Sequence, residues 1–266
     1  MRRTGLPPKP ARVLALVLLF WAGYAAILFS AGKLEAMLPP RWRGLAWGSA
    51  SAVGVLALSL LFLRLERRSA TGVGMGLQAT SPLRFLAGAL LGVALFAITI
   101  AVTIVLAGPV RFEARVPGGR LVAVTICTYL AVACTEELGF RGYALRSLHP
   151  VLGLWPAQVV VALAFGLNHV VYGWSLADVV AGVLPGALLF GLAALASRGL
   201  ALPIGLHAAW NAASWSIGAQ GPWTMVVRAQ ERGRMAVAGR FSATAVLLLA
   251  AVGAWVWYLS GRRASA

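Results

Sequence analysis

The chain has 266 residues, 60% of them hydrophobic and 11% charged, with 23 basic residues against 7 acidic ones. Soluble domains carry about 25% charged residues, so this composition excludes a disordered chain and a small disulfide-stapled domain. It also argues against a water-soluble enzyme and points to a multi-pass membrane protein.

All the basic residues except Lys9 and Lys33 are Arg. They punctuate apolar stretches and do not gather on one soluble face. That spacing reads as interfacial Arg meeting lipid headgroups of the bilayer, with no nucleic-acid partner.

A helix needs about 20 apolar residues to cross the hydrocarbon core. Charge-free intervals therefore place the spans in order. Nothing charged lies between Arg12 and Lys33, which predicts a first span near 13–32. Arg2, Arg3, Lys9 and Arg12 before it resemble the basic region of a signal peptide. The apolar stretch is too long for one, so an uncleaved first helix is expected. A second span is predicted near 44–63 and a third between Arg84 and Arg111. The fourth begins after Arg120 and keeps helical character to about Arg146. His149, Pro150, Gly153 and Pro156 break the next apolar stretch, so a fifth starts near Trp155. The sixth runs from about Asp178 to Ser197, the seventh from about Leu200 to Gly218, and the eighth between Arg240 and Arg262.

The expected fold is thus all-α, with about eight transmembrane helices in one domain spanning 1–266. Counting Lys and Arg on the two sides favours both termini inside. The loops near 108–120 and 219–241 show no periodic apolar pattern. Cys127 and Cys134 lie seven apart on one helix face and read as small buried residues with no disulfide.

Ionisable groups inside a membrane are costly and mark functional sites. Three segments hold nearly all of them. The fourth span carries Glu136, Glu137 and Arg141; the fifth carries Phe165, Asn168 and His169; the seventh carries His207 and Asn211. This predicts a polar intramembrane site formed by helices 4, 5 and 7. Asp178 starts the sixth span and reads as a helix cap with no further role.

At 100° per residue, Glu137 and Arg141 share a face and can pair. Glu136 points elsewhere and stays free for chemistry, as a general base or acid in an apolar surround. The Phe165 ring can pack beside His169, one turn on. Asn211, one turn after His207, can orient that imidazole or donate to a developing oxyanion. Such a set has the parts for hydrolysis, with Glu136 taking a proton from water and His169 assisting. Two His and a Glu also make a zinc ligand set. The chain has no H-E-x-x-H and no G-x-S-x-G, and neither Cys falls beside a His. Glu and His chains within membranes also serve proton- or ion-coupled transporters. A transporter of that kind predicts matching halves, but the polar groups here are confined to the second half. A non-catalytic scaffold of the same fold would tolerate loss of Glu136.

These residues resemble the motifs of the CAAX protease and bacteriocin-processing family, which includes the type II prenyl endopeptidases. E-E-x-x-x-R matches Glu136, Glu137 and Arg141, F-x-x-x-H matches Phe165 and His169, and H-x-x-x-N matches His207 and Asn211. The resemblance covers about 120–218 and leaves helices within 1–119 without motifs. It implies an intramembrane endopeptidase in which Glu136 activates water, His169 assists, and His207 and Asn211 stabilise the oxyanion. Glu137, Arg141 and Phe165 are then supporting residues. It implies either a divalent metal such as zinc, held by Glu136, His169 and His207, or a glutamic mechanism without metal. The substrate it implies is a membrane-anchored protein or peptide. The Ala, Arg, Gly and Trp bias suggests a bacterial inner-membrane protein, where prenylated substrates are unexpected.

Overall fold

A computed structural model describes residues 10–218 and 221–263. Among the described residues, ten α-helices, two π-helical segments, two short 3-10 turns and one β-ribbon make up the regular structure. The first three helices are α1 (Pro10–Ala36), α2 (Pro40–Leu65) and α3 (Ser81–Ala107). The strand β1 (Arg111–Ala114) leads into α4 (Gly119–Glu136), a π-helical segment (Glu137–Gly142) and α5 (Tyr143–Leu152). Next come α6 (Leu154–Val171), the short α7 (Leu176–Asp178), a second π-helical segment (Val179–Val183) and α8 (Leu184–Ala196). The chain closes with α9 (Ala201–Ser216), β2 (Trp223–Val226) and α10 (Arg232–Arg263). Arg2, Arg3 and Lys9, the basic group before the first span, lie outside the described residues.

Prolines and left-handed residues punctuate these helices. Pro40 and Pro82 sit in first turns, where their missing N–H costs nothing. Gly108 and Gly153, at φ 97° and 81°, end α3 and α5. Arg67 and Arg198 take the same left-handed region, at φ 54° and 53°, just after α2 and α8.

Among the described residues, seven helical stretches are long and apolar enough to cross a membrane. They match the first six predicted spans and the last. The predicted span at 200–218 folds as α9, only 16 residues long. At 1.5 Å per residue it covers about 24 Å, yet it joins opposite faces of the bundle. One face is tied together by side chains: Arg68 donates to Ser147 Oγ (2.7 Å), Arg146 to the Ala194 carbonyl (2.6 Å) and Arg84 to the Ser197 carbonyl (2.8 Å). Tyr258 meets His149 there at 3.1 Å. The β-ribbon lies at the other face, where Met225 N–H donates to the Ile217 carbonyl just after α9. The chain therefore alternates between faces through eight passes, and the start of α1 and the end of α10 share a face.

Within the loops near 108–120 and 219–241, β1 and β2 pair antiparallel with Arg111 opposite Val226. Three expectations need correction. The last helix starts at Arg232, ahead of the charge-free interval. Its basic residues are taken up at the membrane edge, where Arg240 Nε donates to Asp178 Oδ1 (2.9 Å) and Arg234 pairs with Glu231 (3.4 Å). Asp178 is accordingly not the cap. Ser175 caps α7 by accepting from the Asp178 N–H, while the Asp178 carboxylate anchors α10. Finally, Cys127 is exposed on the outer surface of the bundle and Cys134 is half-buried, both as free thiols. Exposed apolar side chains on every long helix mark that surface as the one lipid covers.

Close approach through glycine places the helix that carries His207. A Cβ on Gly88 would strike the Leu202 carbonyl, one on Gly92 the Leu206 carbonyl, and one on Gly205 the Phe85 carbonyl. Small residues at these points let the α3 and α9 backbones touch, which is how helices associate inside lipid. Gly92→Leu is expected to lower stability by about 1–3 kcal/mol through overpacking, read as an earlier thermal unfolding midpoint in detergent. Gly32→Ala, where a Cβ meets nothing within 4 Å, is the control and should leave the midpoint in place. An unchanged midpoint in Gly92→Leu would refute the close-packing account.

Candidate active site

Of the predicted site residues, Glu136, Phe165, His169, His207 and Asn211 line a cavity between α2, α4, α6 and α9, with α8 behind it, and Glu137 and Arg141 are buried beside them. Glu136 ends α4 and Glu137 opens the π segment. A π turn re-aims side chains relative to an α-helix and is frequent at functional sites. This one is docked on α1: Trp21 Nε1 donates to the Gly139 carbonyl (3.3 Å), and the Tyr24 ring fills the space that a Gly139 side chain would need. Thr135 Oγ1 donates to the Gly48 carbonyl (3.2 Å), fixing the end of α4 against α2.

Glu137 and Arg141 are both fully buried and paired, Arg141 Nη1 to Glu137 Oε1 at 3.2 Å. Arg141 Nη2 also donates to the Ala187 carbonyl (3.3 Å). Its guanidinium lies 4.3 Å over the Phe165 ring and 5.4 Å from the Phe190 ring. Aromatic faces attract a cation and cost it little hydration in a dry site. Phe165 thus packs on Arg141 on one side and on His169 on the other, with ring centroids 4.6 Å apart in the second contact.

His207 is the hub. Its Nδ1 lies 2.9 Å from Glu137 Oε1, and its Nε2 lies 3.4 Å from Glu136 Oε2. A carboxylate can only accept, so Nδ1 carries a proton and donates it to Glu137. Nε2 is left facing the Glu136 carboxyl group. Phe190 stacks on the His207 ring at 4.6 Å and 17°. Sequence spacing allowed Asn211 to orient His207; the groups that lie against its two ring nitrogens are Glu137 and Glu136. It also ties Glu136, expected to stand free, to His207.

His169 Nδ1 lies 2.9 Å from the Phe165 carbonyl, which can only accept. The Nδ1–H donates there and leaves Nε2 as an acceptor when the ring is neutral. Among the described residues nothing takes the Asn211 carboxamide.

The cavity has two lobes that share His169, Trp174, His207 and Asn211. The polar lobe, about 340 Å³, adds Glu136, Trp47, Tyr129, Asn168, Tyr172 and Ser214. The apolar lobe, about 110 Å³, extends between α6, α8 and α10. Sequence reasoning missed Phe190, Trp47 and Trp174. Nothing local distinguishes them from other aromatics in apolar helices. Tyr172 and Asn168 sit beside His169 in the chain, and that adjacency was the available signal.

The geometry does not present a metal-ligand set. Zinc takes imidazole nitrogens at about 2.0–2.1 Å and carboxylate oxygens at about 2.0–2.2 Å. Here one nitrogen of His207 serves Glu137 and the other lies 3.4 Å from Glu136. Among the described residues no group of three His, Cys, Asp or Glu is placed to hold a metal ion. What the arrangement does is place the Glu136 carboxyl group at the wall of a cleft that His169 and Asn211 also line.

Residues 118–213 match the family model described as Type II CAAX prenyl endopeptidase Rce1-like, and all the motif residues fall within that segment. No curated protein matches the chain.

Proposed function

We propose that this chain, a multi-pass membrane protein carrying a CAAX protease family domain over residues 118–213, is an intramembrane endopeptidase. It hydrolyses a peptide bond of a membrane-anchored protein or peptide in a bacterial cell membrane. The observation that carries this reading is Glu136, a nearly buried carboxylate lining the same polar lobe as His169 and Asn211.

The reaction follows from the atoms present. A water in the polar lobe gives a proton to the Glu136 carboxylate as its oxygen attacks the scissile carbonyl carbon. His169 Nε2 accepts the second hydrogen of that water and orients it. Asn211 Nδ2–H donates to the oxyanion of the tetrahedral intermediate, with His207 Nε2 beside it as a second donor when that nitrogen carries a proton. Glu136 returns its proton to the leaving nitrogen, and the C–N bond breaks. Glu137 and Arg141 touch no substrate in this scheme; they hold His207 in its tautomer.

Every step runs through protein groups, so active protein purified under chelation is expected to hold substoichiometric zinc by elemental analysis. One zinc per active chain, lost together with activity, would overturn the glutamic mechanism. The substrate is to be found by comparing N- and C-terminal fragments in cells carrying wild type or Glu136→Gln. Fragments present only with wild type are expected, and identical fragment sets would sink the proteolytic reading.

A further inference from the structure

We propose that the groove between α3 and α10, at the ribbon end of the bundle, binds one anionic phospholipid, with the lipid phosphate on Arg232 and an acyl chain along the groove. This site shares no residue with the catalytic cleft and does not depend on the proteolytic reading. The groove holds about 360 Å³. An apolar cavity of about 150 Å³ already admits a benzene ring, so a flexible chain has room here.

The walls are apolar in effect, although two of their residues are threonines. Thr99 Oγ1 donates to the Leu95 carbonyl (2.9 Å) and Thr103 Oγ1 to the Thr99 carbonyl (2.7 Å), both within α3. With these hydroxyls spent on their own helix, nothing along the wall rewards a polar ligand. Ile100 of α3 faces Met235, Ala236 and Gly239 of α10 across the groove. Gly239 keeps it open: a Cβ there would meet only Thr103 Cγ2, at 3.9 Å. Close packing therefore does not demand this glycine, in contrast to Gly88, Gly92 and Gly205.

One end carries the charge. Met225 of β2 and Val227 just beyond it roof the groove, and Arg232 stands with them at the start of α10. Arg234 takes Glu231 and Arg240 takes Asp178, so Arg232 has no acidic partner among the described residues. Below this rim the chain is apolar and lipid-facing, which puts Arg232 at headgroup depth, where Arg attracts anionic lipid.

Shape and charge divide the work. Lipid tails are as apolar as the groove, so burial from water contributes nothing. The groove offers a chain dispersion contact on several sides, and Arg232 selects an anionic headgroup. The closed end decides against a transmembrane helix as occupant. Such a helix is about 10–12 Å wide with its side chains and would run into the roof. A lipid ends there in its headgroup.

The probe is phosphatidylglycerol with a diazirine in one acyl chain, a minor component of phosphatidylcholine nanodiscs holding the full chain. Labelled residues are mapped by mass spectrometry after irradiation. Ile100 and Met235 are expected to label more strongly than Leu90, 65% exposed on α3 outside the groove. Excess unlabelled phosphatidylglycerol should remove that labelling, and added phosphatidylcholine should not. Gly239→Leu fills the groove and should lower the labelling about tenfold. Arg232→Gln should lower it about fivefold. Removing a cation from the first turn of a helix does not weaken the helix, so Arg232→Gln keeps the test valid should Gly239→Leu fail to fold. Labelling at Ile100 and Met235 no stronger than at Leu90 would overturn the site, as would undiminished labelling in folded Gly239→Leu or in Arg232→Gln. Equal competition by phosphatidylcholine would overturn the selection of an anionic lipid. Discs holding one chain and discs holding two should label alike. Loss of labelling in the two-chain discs would give the groove to a second copy and overturn the lipid site.

Discussion

Glu136→Gln is expected to insert, fold and bind substrate, and to cut it about 10²–10⁴-fold more slowly or not at all. The amide keeps the shape of the carboxylate but cannot accept the proton of water. Its effect on folding should be small, because Glu136 has one ionic neighbour, His207 at 3.4 Å, and an amide oxygen can still accept from that ring. His207 also remains held through Nδ1 by Glu137. The measurement pairs fragment appearance with a thermal unfolding curve of the same preparation. Loss of cleavage with an unchanged midpoint supports Glu136 as the base. Wild-type cleavage in this variant would remove Glu136 from the chemistry.

Glu137→Gln is expected to fail differently. Glu137 is fully buried, and its Oε1 accepts from both Arg141 and His207. Neutralising it leaves the Arg141 cation in a site with 0% exposure, facing Phe rings and one backbone carbonyl. Breaking one side of a buried ion pair costs about 3–5 kcal/mol. His207 also loses the acceptor that sets its tautomer, so activity falls with stability.

The double variant Glu137→Gln/Arg141→Leu separates the two effects. Removing the unpaired charge should recover much of the stability, since buried pairs replaced by apolar groups are often tolerated. Activity should stay low, because nothing then holds Nδ1 as it does in wild type. A double variant as unstable as Glu137→Gln alone would show that the uncompensated Arg141 charge is not the cause.

Much of this site is legible in the chain because a membrane makes polarity expensive. In an apolar sequence with seven acids, adjacent Glu136 and Glu137 stand out, as do the three spaced motifs. The i,i+4 rule paired Glu137 with Arg141 correctly, since both lie on one continuous helical stretch whose π turn keeps them in reach. The same rule applied to His207 and Asn211 described a shared face and could not say what His207 touches. Its partners come from α4 and the π segment, 71 and 70 residues earlier, and no local spacing encodes such a contact.

Charge-free intervals likewise found the long helices, because crossing lipid requires an uninterrupted apolar run. They misplaced the start of α10, where Arg232 and Arg234 continue the helix beyond the apolar region. They also gave no warning that 111–114 and 223–226 would pair as strands.

The sequence by itself determined that this is a helical membrane protein and which polar residues sit within its spans. It also determined that they match the motifs of a protease family. Those features follow from composition and short-range periodicity. Only the tertiary structure decided that His207 bridges both glutamates and that Arg141 is boxed by phenylalanines. It alone divided the cavity into a polar and an apolar lobe. Each of these depends on how distant helices cross, and the crossings are set by backbone contact at glycines such as Gly88, Gly92 and Gly205, whose packing role no residue-by-residue reading of polarity contains.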